Sequence, residues 1–170
     1  MERFFHVIDR ISEITGKVAS LLVVILTVGI CYDVFMRYVF AKPSFWAYDM
    51  TIMLYGSFAM LGVAYCHYLH GHVRMDLLYG RLSIRGQAIA DIIGYIVLFF
   101  PLMVVLVYKC GEHGIWSMTY GERSSASAWR PYLGPFKLAI GYGLALLLVQ
   151  GVVDFIRRIF TVVRGGRYEP

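Results

Sequence analysis

The chain has 170 residues, of which 59% are hydrophobic and 16% charged, and its formal net charge at pH 7 is +5. Soluble domains carry about 25% charged residues, so this composition excludes an ordinary soluble domain and predicts a single membrane domain over residues 1–170. The basic residues form no stripe interleaved with aromatic residues, which excludes a nucleic-acid-binding surface. The three cysteines are isolated, which argues against thiol redox chemistry and covalent haem.

Four apolar stretches are each long enough to cross a bilayer, because about 20 apolar residues span roughly 30 Å of hydrocarbon. We therefore predict an all-α membrane protein with four transmembrane helices and short interfacial amphipathic helices. The first stretch lacks a signal-peptide cleavage site, so we expect it to remain as an uncleaved span. The predicted spans are residues 18–36, 45–66, 88–108 and 135–153, with a disordered tail at 164–170.

The distribution of Lys and Arg predicts the orientation of these spans. With both termini in the cytoplasm, ten of the 16 basic residues fall on the inner side and six on the outer side. Cytoplasmic loops carry the excess of basic residues, so the pattern favours N-in and C-in. Aromatic residues between spans one and two, among them Tyr38 and Phe45, are typical of a membrane interface and mark the outer surface.

The segments between the spans predict several local features. Residues 1–16 alternate at helical spacing and can form either a helix on the inner surface or the first turns of span one. Pro43 ends the first helix and Ser44 can cap the second, which predicts a tight hairpin. A short interfacial helix is expected from Arg74 onward, and Pro101 predicts a kink in span three.

Two acids lie inside predicted spans near the outer surface, where a charge must be paired or hydrated. Asp33 precedes Arg37 by one helical turn, which predicts an ion pair, and Asp49 lies at a similar depth across the hairpin. This arrangement favours a latch that fixes the hairpin or holds a partner subunit. A coupling-ion or proton site is the alternative, although proton relays need several ionisable groups at graded depths.

Three histidines lie close together after span two. His67, His70 and His72 suggest a metal cluster, but no Cys or further His completes a tetrahedral set at normal spacing. None of the chain's histidines lies deep in a span, which argues against haem held between facing helices. We therefore predict that His72, Arg74 and Asp76 organise the inner loop.

Small residues form two faces that allow close contact between helices. Gly56 and Gly62 lie along one side of span two, and Gly141 and Gly143 lie near the start of span four. Gln150, inside span four, is expected to form a hydrogen bond with another helix because its amide has no water available in lipid. These features predict surfaces for helix–helix contact.

Short motifs occur in the same order as these predicted elements. The first hairpin carries Arg37-Tyr-Val-Phe, then Pro43, Trp46 and a carboxylate at Asp49. The sequence His72-Val-Arg-Met-Asp-Leu-Leu follows span two. Both motifs lie in the first half of the chain.

The second half adds Trp129-x-Pro, Phe136-Lys-Leu and the segment from Gly141 to Gln150. Taken together, these motifs resemble the DctQ-like small membrane subunit of TRAP (tripartite ATP-independent periplasmic) transporters. The stretch after span two is similar to that family's H-V-R-V-D-L-L. The family commonly has glutamate where this chain has Asp49.

The resemblance implies a transporter subunit of the bacterial inner (cytoplasmic) membrane and not an enzyme. In such systems a large membrane subunit carries an organic acid and sodium, and a periplasmic substrate-binding protein delivers the substrate. The small subunit scaffolds and anchors the large one, contacts membrane lipid, helps to dock the delivery protein, and has no cofactor of its own, since sodium ions are expected in the large subunit. The implied subunit contacts are Arg37, Trp46, Asp49, His72, Arg74, Asp76, Gly141 and Gln150, and the implied docking residues are Trp129, Arg130 and Lys137.

Two other functions remain as alternatives. The first is a haem- or quinone-binding membrane anchor of an oxidoreductase. The second is a small transporter or channel that works as a homo-oligomer. The sequence shows no broken helices and no polar site at mid-membrane depth of the kind a transport subunit needs, which disfavours the second.

Overall fold

The structure, a computed structural model, describes residues 2–69 and 84–164. These residues form four helices that are long and apolar enough to cross a membrane, which confirms the predicted all-α, four-span architecture. The helices are α1 (Glu2–Val39), α2 (Ala47–Tyr68), α3 (residues 84–120) and α4 (Gly134–Arg164).

The helices extend beyond the apolar runs that predicted them. α1 begins at Glu2, so the N-terminal amphipathic segment forms the first turns of the first spanning helix and is not a separate surface helix. α4 continues past the predicted end at residue 153 and ends at Arg164. An apolar run marks the part of a helix within the hydrocarbon, whereas the helical hydrogen bonds continue into the interface. The helix predicted from Arg74 and the tail beyond Arg164 lie outside the described residues.

α3 contains a distorted turn near its middle. The α-helical segments Ile84–Gly94 and Phe100–Tyr120 are separated by a π-helical turn, Tyr95–Phe99. Pro101 lies at the start of the second segment, where its missing N–H and its ring conflict with the carbonyl groups of the preceding turn. The wider π turn accommodates that conflict, so the distortion predicted at Pro101 is located in the turn before it.

The four helices lie side by side in the order α1, α2, α4, α3. α1 is antiparallel to α2, with Gly16 against Tyr65 and Gly29 near Met50. α4 is parallel to α2 and antiparallel to α3. Among the described residues, α1 meets α4 over a short stretch, and neither α1 nor α2 forms an extended contact with α3. The fold is therefore a row of helices and not a closed bundle.

We call the two edges of this row, where the helices end, the loop end and the terminal end. The loop end contains the turn at 40–46 and the loop at 121–133, and the terminal end contains the start of α1 and the end of α4. A row buries little of its own apolar surface: Leu98 on α3, for example, is 72% exposed. In the membrane such side chains contact lipid or another protein. Among the side chains that the structure describes, the buried hydrophobic residues are Ile8, Ala19, Leu26, Ala47, Ala64, Leu147 and Val153.

Candidate functional site

Charged side chains lie in two layers, one at each end of the row. α2 carries Asp49 near the loop end and His67 near the terminal end, and α4 carries Lys137 and Asp154 in the same way. At 1.5 Å per residue the two layers are about 26 Å apart, close to the roughly 30 Å thickness of bilayer hydrocarbon. Between the layers, the segments 50–66 of α2 and 138–153 of α4 carry no Asp, Glu, Lys, Arg or His. The ends of the row are therefore where polar chemistry is concentrated.

At the loop end, Asp33 holds the turn between α1 and α2. Its Oδ2 accepts a hydrogen bond of 2.7 Å from the Arg37 guanidinium, and its Oδ1 accepts one of 2.9 Å from the backbone N–H of Ser44. The predicted Asp33–Arg37 pair is therefore confirmed. Ser44 does not cap α2 as expected, because the N-cap position is Trp46 and no side chain caps it.

The same turn is fixed by two further features. The Trp46 ring stacks on Tyr32 of α1, with centroids 5.9 Å apart and planes inclined by 19°. Ala41 has a φ of 52°, in the left-handed region that costs an L-residue about 1 kcal/mol. The backbone N–H of Lys42 closes the end of α1 by donating to Met36 O at 3.2 Å. The turn is thus held by side-chain and backbone contacts together.

Asp49 organises the second connection at the loop end. It is 4% exposed, and its Oδ1 accepts a hydrogen bond of 2.7 Å from the Ser124 hydroxyl. Its Oδ2 accepts a second bond, from the Ser127 hydroxyl. The two hydroxyl oxygens in turn accept backbone N–H groups of the loop, Ala126 N at 3.1 Å and Trp129 N at 3.2 Å. A single carboxylate thus sets the conformation of residues 124–129.

This arrangement changes the role expected for Asp49. The sequence suggested that Asp49 and Arg37 hold the same hairpin, but Arg37 pairs with Asp33, and Asp49 binds the loop between α3 and α4. The reason lies in the order of the row. Because α2 packs beside α4, the start of α2 lies next to the loop that precedes α4.

The base of the loop at 121–133 is closed by an ion pair and a short antiparallel bridge. Lys137 donates to Glu122, and this ammonium lowers the pKa of the Glu122 carboxyl below its usual range. The bridge joins Arg123 to Tyr132, and the Arg123 guanidinium also lies 4.3 Å from the Tyr132 ring centroid. The expected docking residue Lys137 is therefore half-buried at the base of the loop.

The other two expected docking residues lie at the tip of the loop. Trp129 and Arg130 are both exposed. Arg130 has a φ of 47°, which places a second non-glycine residue of the loop end in the left-handed region. Such backbone strain persists where neighbouring contacts impose it, and it occurs often at functional sites.

At the terminal end, Gln150 joins α4 to α1. Its side chain is completely buried, its Oε1 accepts a hydrogen bond of 3.3 Å from the Ser12 hydroxyl, and its Nε2 donates one of 3.0 Å to Asp9. Arg157 donates to the other oxygen of Asp9 at 2.8 Å. The hydrogen bond to another helix predicted for Gln150 is therefore formed, and it is formed within this chain.

A second group at the terminal end links α2, α3 and α4. His67 Nε2 lies 3.2 Å from Asp154 Oδ2 and 3.2 Å from the Tyr95 hydroxyl. Tyr95 opens the π turn of α3, and Phe99, which ends it, stacks against the His67 ring at 6.1 Å. Arg157 also approaches Asp154, at 3.6 Å. The distorted turn thus places two aromatic rings around one imidazole.

The glycines of the predicted packing faces differ in what they contact. A Cβ at Gly143 would overlap the backbone of Met60, so α2 and α4 can meet there because the residue has no side chain. Gly141 lies at ordinary contact distance from α3, and a Cβ would meet the backbone of Cys110 at 3.7 Å. Gly62 has open space around it. Gly141 and Gly143 therefore serve contacts within the chain.

Three of the expected subunit-contact residues cannot be placed on this framework. His72, Arg74 and Asp76 lie outside the described residues, so their predicted role in the inner loop remains a prediction. Among the described histidine side chains, His67 lies at the terminal end and His113 near the loop end. They are at opposite ends of their helices, which is not the arrangement that facing haem ligands require.

One family matches most of the chain. The model of the family described as "Tripartite ATP-independent periplasmic transporters, DctQ component" matches residues 26–161. The chain belongs to this family. No curated protein matches it.

The match establishes a DctQ component, the small membrane subunit of a TRAP transporter and a multi-pass membrane protein. Its family is one of transporter components and not of enzymes, and the match gives no support to an oxidoreductase anchor. The matched region includes both anchoring acids of the loop end, Asp33 and Asp49. It begins after Asp9 and Ser12, so the partners of Gln150 on α1 precede the region that defines the family.

Several residues of this DctQ component were not singled out by the sequence. Ser124 and Ser127 belong to a small, polar stretch with no distinctive spacing, and their role becomes visible when Asp49 is placed beside them. Asp9 and Ser12 share a helical face, but α4 as their partner could not be read from α1 alone. Tyr95 gave no signal, although Pro101 six residues later indicates a distorted helix in this region.

Proposed function

We propose that this DctQ component scaffolds and anchors the large membrane subunit of a TRAP transporter in the bacterial inner membrane. It also helps to dock the periplasmic substrate-binding protein during sodium-driven uptake of an organic acid. The observation that carries this proposal is the row of helices, which leaves two broad apolar faces uncovered while the charged side chains of α2 and α4 are grouped at its ends.

The distribution of polar groups supports scaffolding rather than transport by this chain. A transport subunit needs a polar site near mid-membrane depth, commonly formed by broken helices. Here the segments of α2 and α4 between the two charged layers carry no Asp, Glu, Lys, Arg or His, and the acids Asp33, Asp49 and Asp154 are engaged by other residues of the chain. Substrate and sodium are then bound by the large subunit, and this chain needs no cofactor.

The exposed apolar faces support contact with a large membrane partner. The close approach at Gly143 is used within the chain, so a partner must bind elsewhere. α1 and α3 form the two outer helices of the row and expose long apolar surfaces, with Val28 and Val97 each 64% exposed. Lipid and the large subunit share these surfaces. Because lipid tails and a helical partner are equally apolar, contact with the partner depends on close packing of side chains.

The loop end supports the docking role. Two buried acids, Asp33 and Asp49, fix two separate connections at the same end of the row. Trp129 and Arg130 then project from a loop of defined shape. With both termini in the cytoplasm, this end faces the periplasm, where the delivery protein is located.

Reconstitution of the transporter tests the proposal. The chain is co-expressed with its large TRAP subunit, the complex is purified through a tag on the large subunit, and both are placed in proteoliposomes with a sodium gradient and the substrate-binding protein. We expect this chain to co-purify at a fixed ratio and uptake to require it. Uptake by the large subunit alone, or by this chain alone, would contradict the proposal.

A further inference from the structure

We propose that the loop end binds an acidic surface of the substrate-binding protein through Lys42, Arg123 and Arg130. This inference rests on the proposed docking function and specifies the chemistry of the partner surface. It follows from which charges at the loop end are already paired within the chain and which are not.

The acids of the loop end that the structure describes are each engaged internally. Asp33 and Asp49 are buried and accept hydrogen bonds from the two connections. Glu112 pairs with Lys109 at 2.9 Å, and Glu122 pairs with Lys137. Asp49 keeps its negative charge, but it is buried and bonded to two hydroxyls, so none of the four carboxylates forms an ion pair with a further cation among the described residues.

Three cations remain at this end. Lys42, Arg123 and Arg130 are exposed, and in the part of the chain that the structure describes none of them forms an ion pair. Arg123 donates to the Tyr132 hydroxyl at 2.6 Å and lies over its ring, which orients the guanidinium without neutralising it. The loop end therefore presents uncompensated positive charge.

The backbone positions of these cations are fixed. Lys42 lies two residues before Ser44, which is bonded to Asp33, and Arg123 directly precedes Ser124, which is bonded to Asp49. Arg130 is in the left-handed conformation, directly after Trp129, whose N–H is bonded to the Ser127 hydroxyl. The buried acids thus hold each cation near a fixed point.

This rigidity favours a protein partner over lipid headgroups. Headgroups move freely and bind cations on flexible chains equally well, so they do not require a strained residue such as Arg130. Carboxylates on a folded protein have fixed positions, and a guanidinium binds them through two parallel hydrogen bonds. The exposed Trp129 beside Arg130 adds an aromatic side chain of the kind that often anchors protein interfaces.

The test measures how uptake depends on the concentration of the substrate-binding protein. The assembled transporter is reconstituted in zwitterionic lipid, and the wild type is compared with a triple variant, Lys42→Gln, Arg123→Gln and Arg130→Asn. We expect the triple variant to need about 10-fold more binding protein for half-maximal uptake while its maximal rate is retained, because charges at the rim of an interface act mainly on the association rate. The control removes the Lys109–Glu112 pair as a whole (Lys109→Gln with Glu112→Gln), which leaves the net charge of the loop end unchanged and should behave as the wild type does.

Two further measurements separate charge from folding. Raising the ionic strength from about 0.05 to 0.5 M should raise the half-maximal concentration for the wild type and much less for the triple variant, since salt screens exposed charges. Restoring lysine at position 130 of the triple variant (Arg130→Lys) should recover part of the affinity. Co-purification with the large subunit should be equal for all variants.

The outcomes distinguish this inference from the proposed function. If uptake requires the chain but the triple variant and the wild type respond equally to binding protein and salt, the acidic-surface inference is wrong and the scaffold stands. If uptake does not require the chain, both fail. The comparison is repeated in liposomes in which part of the zwitterionic lipid is replaced by anionic lipid. If the triple variant's defect persists at saturating binding protein and changes with the anionic lipid content, the cations bind headgroups, which overturns the inference.

Discussion

The Asp49 carboxylate, in the first turn of α2, accepts a 2.7 Å hydrogen bond from the Ser124 hydroxyl, which lies 75 residues later in the chain. Ser127 donates to its other oxygen. One short acid therefore joins the beginning of the second helix to the connection between the third and fourth. The loop that carries Trp129 is thus ordered by a residue of a different hairpin.

Asp49→Ala should loosen that loop. Two hydroxyl donors lose a buried, charged acceptor, so we expect a loss of about 2–3 kcal/mol in the free energy of unfolding. Limited trypsin digestion in detergent provides a direct readout, because the peptide bond after Arg123 lies within the ordered loop. Cleavage there should accelerate in the variant.

The control for this experiment is Asp49→Glu, which keeps the charge and adds one methylene. It should protect Arg123 better than Asp49→Ala does, because an irregular loop can shift to meet a longer side chain. Equal cleavage rates in the wild type and Asp49→Ala would show that Asp49 does not order the loop.

Asp33 and Arg37 should contribute unequally although they form one ion pair. The Arg37 side chain is 58% exposed and that of Asp33 is 9% exposed, and Asp33 also accepts the backbone N–H of Ser44. Removing an exposed partner costs about 0–1 kcal/mol, whereas removing a buried acceptor costs about 1–3 kcal/mol. Thermal unfolding in detergent should therefore show a larger decrease for Asp33→Ala than for Arg37→Ala. The reverse order would mean that the guanidinium, not the backbone contact, fixes the turn.

Two glycines of the predicted packing faces provide a matched comparison. Gly143→Ala would place a Cβ against the backbone of Met60 and should separate α2 from α4, with a loss of about 1–3 kcal/mol. Gly62→Ala enters open space, and alanine is the better helix former, so its stability should be unchanged or slightly raised. Both are read as thermal unfolding of the purified chain. Equal destabilisation of the two variants would contradict the close contact at Gly143.

Gln150→Leu tests the polar link at the terminal end. The substitution keeps a similar volume but removes the amide that Ser12 and Asp9 contact, so we expect a loss of about 1–3 kcal/mol. Val149→Ala, at a 40% exposed neighbouring position, is the control and should change stability by less. In a double-mutant cycle with Asp9→Ala the two losses should not add, because both variants break the same hydrogen bond. Additive losses would show that the two side chains act independently.

The Glu122–Lys137 pair predicts a dependence on pH at the base of the loop. Lys137 lowers the pKa of Glu122 below its ordinary value of 4.5, so the contribution to stability is present above about pH 4.5 and is lost as the pH falls through the lowered pKa. Thermal unfolding measured between neutral pH and pH 3 should show this loss in the wild type. Glu122→Gln should be less stable than the wild type at neutral pH and should lack this part of the pH dependence. If the variant keeps the wild-type pH profile, the loss of stability at low pH comes from a different titratable group.

The sequence predicted the four helices because lipid imposes a simple rule. Backbone groups in hydrocarbon must be hydrogen-bonded within the chain, so a long apolar run is a helix. The same rule says nothing about helix ends, because water can satisfy the backbone in the interface. The start of α1 at Glu2 could therefore not be predicted from the sequence and is seen in the structure.

The pairing at the two ends was predictable where partners are close in sequence and not where they are distant. Asp33 and Arg37 are one turn apart, and helical geometry alone brings them together. The contacts of Asp49 with Ser124 and of Gln150 with Asp9 depend on which helices are neighbours in the row. That order is set by close packing at positions such as Gly143, and no local pattern encodes it.

The side-by-side order of the helices gives the molecule two flanks and hardly any interior. A water-soluble protein of that form would gain hydrophobic free energy by burying either flank. In the membrane, lipid acyl chains already cover both flanks. When another membrane protein binds, lipid on an apolar face is replaced by an equally apolar protein surface. The favourable free energy of association then comes from van der Waals packing and from the entropy of the released lipid. Stable assembly therefore requires a partner whose surface is complementary in shape to the flank it binds. A detergent that covers the same flank can compete with the large subunit for it.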